Sequence, residues 1–457
     1  MSIRRILIAN RGEIAARIIR TCRASGIETV LAASEADRDS VPAHLADRTV
    51  CIGPARASES YLKPDTIVQA ALGVGAQAIH PGYGFLSERA VLARLCGQHG
   101  VIFIGPTADQ IEAVGDKLRA RSAAEAAGVP VVPGGPVGST EEAMALARRI
   151  GAPLLVKAVG GGGGRGMKRV ERLDDLPAAL ELAASEAAAA FGDARVYLER
   201  FVAEGRHVEV QVLGDGAGGV IHLGERDCSV QRRYQKLIEE TPAPRVSPAL
   251  RSRLHDAAAR FARHLSYRGA GTVEFLVAAD ETFYFLEMNA RIQVEHPVTE
   301  EVTGIDLVAE QIAIASGAGL RLSQQNIRVR GCALECRVNA EDPDRDFQPA
   351  PGRVDEVSWP TGPGIRVDTH IAAGSRVPPY YDSLLGKIIV HGSDRQAALA
   401  RMRQAIAATR VSGVATNLSF HSAVLAEPEF QAGGVDTGFV ARLLQRSPGR
   451  VEGRADG

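Results

Sequence analysis

The sequence predicts a multidomain protein of mixed α/β and α+β class: a parallel α/β domain first, then a small α+β module, then a large antiparallel sheet. Three observations carry this. The chain has 457 residues, enough for two to four domains with cores of their own. Its first hundred residues place apolar runs on either side of helical periodicity, the pattern of β–α–β units. From residue 206 onward the apolar runs alternate with polar residues, as strands of an antiparallel sheet with one buried face do.

RRILIA (4–9) reads as a buried strand and GIETVLAAS (26–34) as a second. Between them Ile14, Ile18, Ile19 and Cys22 recur at helical spacing, and Gly26 is placed to end that helix. GAQAIH (75–80) and GVIFIG (100–105) are further strands. The loop NRGEIA (10–15) lacks the G-x-G-x-x-G spacing of a dinucleotide site. Residues 116–130 turn alanine-rich and helical, and GVPVVPGGPVG (128–138) marks a boundary. Ser139 and Glu142 have capping-box spacing, opening a helix through Ile150 that Gly151 and Pro153 close. LLVKAV (154–159) and MKRV (167–170) are strands, followed by an alanine-rich helix and the strand VYLERFV (196–202). The segment 131–203 is therefore an inserted α+β module. VEVQVL, GVIHLGER, GTVEFLV and TFYFLEM build the antiparallel sheet, and ALECRVNAEDP (333–343) begins more strands before a long helix near 394–408. The tail 447–457 is expected to be disordered.

Composition narrows the function. The formal net charge is −1, so no whole-molecule field draws nucleic acid or an anionic membrane. No apolar run approaches the roughly 18 residues of a membrane-spanning helix. MSIRRILIAN runs directly into a strand and is too short in its apolar part for a signal peptide, which points to the cytoplasm. Six cysteines are scattered without a C-x-x-C pair, as in reduced packing thiols.

Two stretches carry chemistry. VGGGGGRGMKRV sets Gly160 to Gly164, Arg165 and Gly166 between two strands, directly after Lys157. Five ordered glycines in a row cost backbone entropy that packing does not repay, whereas bare backbone N–H groups suit an anion. The context is not a P-loop, because G-K-[ST] and a following helix are missing. A strand–turn–strand flap over nucleotide phosphates fits. The second stretch, LEMNARIQVEHPVTE (286–300), holds Glu287, Asn289, Arg291, Gln293 and Glu295 at two-residue spacing. An extended chain points all five to one side, which a solvated strand face would do as well. Glu274 and Glu287 lie among apolar neighbours, where a carboxylate needs a cation. With Asn289 they offer oxygen ligands on two strands that suit Mg²⁺. Lys236, Arg291 and Arg337 are the cations available to bring a second anion to a triphosphate.

HPGYGFLSE (80–88), GDK (115–117), VKAVGGGGGRGM, HVEVQVL, ERDCSVQRRYQK (225–236), GAGTVEFL, EMNARIQVEHPVTE, ECRVNAEDP and YYDSLLGKIIV (380–390) together resemble the biotin carboxylase component of biotin-dependent carboxylases, within the ATP-grasp superfamily. The resemblance runs over about 1–446. It implies an N-terminal (pre-ATP-grasp) α/β domain at 1–115, an ATP-grasp domain at 116–330 with a mobile lid at about 131–203, and an antiparallel C-terminal biotin carboxylase domain at 331–446. It implies ATP with Mg²⁺ or Mn²⁺, bicarbonate activated to carboxyphosphate, and carboxylation of biotin as the first half-reaction of an acyl-CoA carboxylase. It also implies residue roles. Lys117, Lys157, Gly162, Gly163, Gly164 and Gly166 would hold the ATP phosphates, Met167 would contact ATP, Glu199 and Val202 would meet the adenine, and His207 and Gln231 the ribose. Glu274, Glu287 and Asn289 would hold metal. Lys236, Arg291, Gln293, Val294 and Glu295 would seat bicarbonate, with Glu295 as the base. Arg337 would stabilise the biotin enolate, and Tyr83 would lie beside biotin.

Three departures matter. Tyr234 stands where many relatives carry His, and Arg200 where they often carry Lys. No A-M-K-M biotinylation motif occurs, so biotin is expected on a separate carrier protein, with separate carboxyltransferase subunits. A homodimer is expected from the resemblance. Two other readings stay open from sequence: another bicarbonate-using ATP-grasp ligase, and an inactive ATP-binding scaffold subunit, for which Tyr234 leaves room.

Overall fold

The computed structural model describes residues 3–160 and 166–446; Gly162, Gly163 and Gly164, with the rest of 161–165, and the tail 447–457 lie outside the described residues. Five strands, β1 (Arg5–Ile8), β2 (Glu28–Ala33), β3 (Arg48–Cys51), β4 (Ala78–His80) and β5 (Ile102–Phe103), form a parallel sheet in the order β3–β2–β1–β4–β5. The helix Gly12–Ala24 connects β1 to β2, and Gly26 leaves it at φ +67°, the left-handed exit predicted for a glycine. β3 was not anticipated. It is an edge strand with a largely exposed surface, so its sequence RTVC has no apolar alternation to betray it. Because β1 and β4 are parallel neighbours, the loops after them leave from the same end of the sheet. Asn10 ties them together, its amide donating to the carbonyls of Pro81 (2.7 Å) and Tyr83 (2.6 Å).

The inserted module is a four-stranded antiparallel sheet of β6 (Gly134–Pro136), β7 (Leu154–Ala158), β8 (Met167–Val170) and β9 (Val196–Arg200), in the order β6–β9–β7–β8. β7 and β8 pair with Lys157 opposite Met167, so the glycine run joins the two strands of a hairpin, as expected. The helix Thr140–Ile150 starts where the capping pattern placed it. Ser139 Oγ accepts from the Glu142 amide at 3.2 Å, while Glu142 reaches back to the amide of Gly138 (2.8 Å). The module is tied to the rest by several bonds, among them Arg121 with Glu199 and Arg195 with Asp116. The Phe285 amide donates to the Pro130 carbonyl (2.7 Å), and Arg200 donates to the Tyr284 hydroxyl (3.0 Å).

The remaining long strands are β10 (Arg206–Asp215), β11 (Val220–Arg232), β12 (Gln235–Thr241), β13 (Arg268–Val277), β14 (Phe283–Asn289), β15 (Cys332–Asn339), β16 (Ile365–Thr369) and β17 (Leu384–Gly392). They make one antiparallel sheet in the order β14–β13–β10–β11–β12–β15–β17–β16. Its hydrogen bonding runs without a break across position 330, because β12 pairs with β15, Glu239 opposite Glu335. Residues far apart in the chain thus share one face. The helix His296–Thr303 packs Val298 and Val302 onto Ala333 and Ile389. Cys332 and Cys336 are buried in the apolar cluster on the other side of β15, as packing residues. Among the described residues no helix is long and apolar enough to cross a membrane.

Candidate active site

Register places a row of charged residues across four strands. Arg226 on β11 pairs with Glu209 on β10, Glu209 with Glu274 on β13, and Glu274 with Glu287 on β14. Directly opposed residues of an antiparallel ladder point to the same face, so the row is contiguous. Glu209 lies between Val208 and Val210, and Glu274 between Val273 and Phe275, all four in the core, which commits the two carboxylates to the opposite face. The floor of this surface is dry: Glu209, Arg226 and Glu295 are fully buried.

One ammonium organises it. Lys236 Nζ lies 2.5 Å from Glu209 Oε2, 3.0 Å from Glu274 Oε1 and 2.6 Å from Glu295 Oε1. Burial alone would lower the Lys236 pKa, but Glu209, Glu274 and Glu295 together hold it well above the ordinary lysine value. Burial pushes Glu295 the other way, and Lys236, Arg337 and Arg226 outweigh it, keeping Glu295 well below the usual carboxylate range. Arg226 braces the floor, donating to Glu209 (2.6 Å), Gln211 (2.8 Å), Thr299 (3.0 Å) and Thr272 (3.1 Å).

Arg337 spans two carboxylates, donating to Glu239 Oε1 (2.7 Å) and Glu295 Oε2 (2.9 Å). Burial, opposed by Arg337, pushes Glu239 up to about 7. The Arg337 carbonyl accepts from His421 Nε2 (2.7 Å) and Asn417 Nδ2 (2.9 Å), so its backbone is fixed as well. Arg291 is forked among Glu88 (2.8 Å), Gln293 (2.7 Å) and Asn289 (2.8 Å).

The support of Arg337 has a pH signature. Burial takes His421 from 6.5 down to about 4, against the effect of its bond to the Arg337 carbonyl. A base depressed on folding contributes stability that is complete above about 6.5 and is lost as pH falls toward 4, at about 1.4 kcal/mol per pH unit while only the unfolded state is protonated. Urea unfolding of wild type is therefore expected to weaken more steeply between pH 6.5 and 5 than that of His421→Gln. Parallel slopes would contradict this.

Nearly all the anticipated residues share one cavity of about 920 Å³ between the inserted module, the large sheet and the N-terminal loops. Its wall includes Tyr83, Lys117, Lys157, Met167, Glu199, Val202, His207, Gln231, Lys236, Glu274, Glu287, Asn289, Arg291, Gln293, Val294 and Arg337. Lys157 and Glu287 thus face the same space. Lys157 pairs with Glu199 there, and Lys117 Nζ lies 3.6 Å from Glu287. Gly166 opens β8 at φ +72° but is not on the wall. Glu295 is not on the wall either; it sits behind Lys236 and Arg337.

The continuous extended run of 287–295 is corrected. The strand stops at Asn289, and His296, with Pro297 at the first turn, begins a helix. Glu295 comes to the site from the start of that helix, so its position does not follow from two-residue alternation. Arg232 and Arg233, which precede Lys236 in QRRYQK, pair with Asp346. Sequence reasoning overlooked Glu209 and Glu239. The polar alternation His207, Glu209, Gln211 within HVEVQVL carried a signal for the first; Glu239 had none.

The residues read as metal ligands fit a hard cation. Glu274 and Glu287 face each other on neighbouring strands, with Asn289 two residues on. Oxygen donors on a cavity wall suit Mg²⁺ shared with phosphates. Glu274 Oε1 here accepts from Lys236, Asn289 and Gln293, whereas the half-exposed Glu287 meets only Lys117 at salt-bridge distance among the described residues. Two tighter groups, His207–Glu209–Glu274 and Glu209–Cys228–Glu295, have the Lys236 ammonium already bonded to their carboxylates.

A deep cleft with Lys117, Lys157 and Glu287 on its wall, beside a buried cation–carboxylate cluster, defines a nucleotide-dependent ligase that handles a second small anion. Comparison with known proteins makes this specific. Residues 2–111 match the family described as biotin carboxylase, N-terminal domain; 116–323 match the carbamoyl-phosphate synthase L chain ATP binding domain; and 335–442 match the biotin carboxylase C-terminal domain. A biotin carboxylase of Nostoc sp. is 51% identical over 97% of this chain and 100% of its own length. That of Pseudomonas aeruginosa is 51% identical over 97% and 99%. The structure of a biotin carboxylase–β,γ-ATP complex from Campylobacter jejuni superposes with a TM-score of 0.94 at 46% identity, covering 96% of this chain and 99% of that one. The biotin carboxylase domain dimer of Hydrogenobacter thermophilus 2-oxoglutarate carboxylase, solved with MgADP, ADP and bicarbonate, gives 0.95 at 43% identity, covering 99% and 100%. This chain belongs to the biotin carboxylase family.

Proposed function

We propose that the protein carboxylates biotin at the expense of ATP, activating bicarbonate as carboxyphosphate, in the first half-reaction of an acyl-CoA carboxylase. The observation that carries this reading is the junction of Lys236, Glu295 and Arg337 beside one cavity that also exposes Lys117, Lys157 and Glu287. Phosphoryl transfer asks a protein chiefly for positioning and charge neutralisation. Lys117 and Lys157 with Gly166 would hold phosphates; Met167 would contact ATP; Glu199 and Val202 would meet adenine; His207 and Gln231 would meet ribose. Glu274, Glu287 and Asn289 would hold Mg²⁺ or Mn²⁺, which supplies charge neutralisation at the transferred phosphoryl group. Lys236, Arg291, Gln293 and the Val294 backbone would seat bicarbonate.

Glu295 is the base in this scheme. Its low pKa follows from the two cations that hold it. A bicarbonate taking hydrogen bonds from Lys236 and Arg337 shares those cations with Glu295, which raises the carboxylate toward a useful proton acceptor. Arg337 then offers its planar fork to the biotin enolate, with Tyr83 at the same end of the cleft. The division into 1–115, 116–330 and 331–446 is part of this reading, as are a biotinylated carrier protein, separate carboxyltransferase subunits, a homodimer and a cytoplasmic location. The test is bicarbonate-dependent ATP hydrolysis by the purified protein, with free biotin as acceptor. ATP turnover that requires bicarbonate and yields carboxybiotin is expected. Nucleotide binding without turnover, or turnover indifferent to biotin, would overturn it.

A further inference from the structure

The stretch YYDSLLGKIIV contains a lysine with no part in the scheme above. Lys387 lies mid-strand in β17, opposite Arg337 on β15 and Asp368 on β16, and its side chain is 0% exposed. A buried ammonium carries a desolvation penalty of several kcal/mol, so its partners must compensate it. Lys387 Nζ is 3.0 Å from Glu13 Oε1 and donates to the Val294 carbonyl at 2.7 Å. Glu13 also accepts from the Tyr83 hydroxyl. Glu13 follows β1, Tyr83 follows β4, and Val294 belongs to the loop between β14 and the helix that begins at His296. One ammonium therefore joins the segment after β1 to the turn before Glu295, and through Glu13 it is linked to Tyr83 on the cleft wall.

The bond to Val294 has a chemical consequence. The Val294 carbonyl belongs to the peptide that leads into Glu295. The preceding carbonyl, of Gln293, accepts from His296 Nδ1 at 2.7 Å. With both carbonyls hydrogen-bonded, rotation of the two peptides in the 293–295 turn is restricted. An apolar side chain could fill the same space at no electrostatic cost, but it could not direct a peptide plane.

We infer that Lys387 is a positioning residue for the bicarbonate step: anchored by Glu13, its ammonium holds the Val294 carbonyl and so fixes the peptide from which Glu295 reaches Lys236 and Arg337. This rests on the carboxylation reading above. Two variants test it in the full-length protein. Glu13→Gln with Lys387→Met removes the directly bonded pair together, and Asp368 keeps Arg366. Lys387→Gln keeps a donor for Val294 without the charge. Thermal midpoint, MgATP dissociation constant, and KM and kcat in bicarbonate-dependent ATP hydrolysis are measured for each. Loss of a charge-assisted hydrogen bond predicts KM for bicarbonate raised about tenfold or more in the double variant, with MgATP affinity unchanged. Lys387→Gln should fall between the double variant and wild type. A wild-type KM for bicarbonate in either variant, or matched losses of MgATP affinity and bicarbonate use, would overturn the inference. Wild-type protein without bicarbonate-dependent turnover would instead overturn the carboxylation reading, so the two failures are distinct.

Discussion

Lys236→Met is expected to abolish bicarbonate-dependent ATP hydrolysis and to lower stability by roughly 3–5 kcal/mol, the cost of removing one partner from a buried ionic cluster. Lys236 is bonded to Glu209, Glu274 and Glu295 at once, and two of those carboxylates are fully buried. Arg226 and Arg337 remain, but each is already committed, to Glu209 and to Glu239 with Glu295. Without the ammonium, burial is opposed only by Arg226, Arg337 and His207, which lies 3.0 Å from Glu274, so the folded pKa values of the three carboxylates are expected to rise. Stability linked to a raised carboxylate is present at low pH and lost as pH rises. The deficit of the variant should therefore be larger at pH 8 than at pH 5, read by urea unfolding at both. A variant as stable as wild type at pH 8 would show that Lys236 does not hold the cluster.

Glu295→Gln should cut bicarbonate-dependent turnover by about 10²–10⁴, the usual contribution of a positioned general base. It keeps the size of the side chain and leaves the nucleotide end of the cleft untouched. Lys117 and Lys157 meet Glu287 and Glu199, not Glu295. ATP affinity should hold while carboxylation falls. Steady-state kinetics combined with nucleotide titration separates the two, and equal losses of both would remove Glu295 from the base role.

Much of the site was legible because its residues break the local rule of their elements. Glu274 in GTVEFLV and Glu287 in FYFLEM are carboxylates within apolar strands, and such residues need a partner wherever the strands meet. The pairing of β7 with β8 was legible from LLVKAV and MKRV on either side of the glycine run, most of which lies outside the described residues. Glu209 was present in an alternation that could have been read. Glu239 could not have been, because IEET offers no contrast between a charged site residue and an ordinary sheet residue. Glu295 was assigned through family resemblance; the alternation argument that seemed to place it fails at Asn289, where the strand ends.

By itself the sequence determined the element types, the two-class architecture and the residue kinds at the site, because periodicity, turn chemistry and misplaced polarity act over a few residues. Only the tertiary structure decided which carboxylates share Lys236, that β12 and β15 merge two halves of the chain into one sheet, and that Lys387 reaches the turn before Glu295. Those outcomes depend on strand register, where a shift of one residue reverses every side chain, and on the desolvation of charges that no local stretch can report.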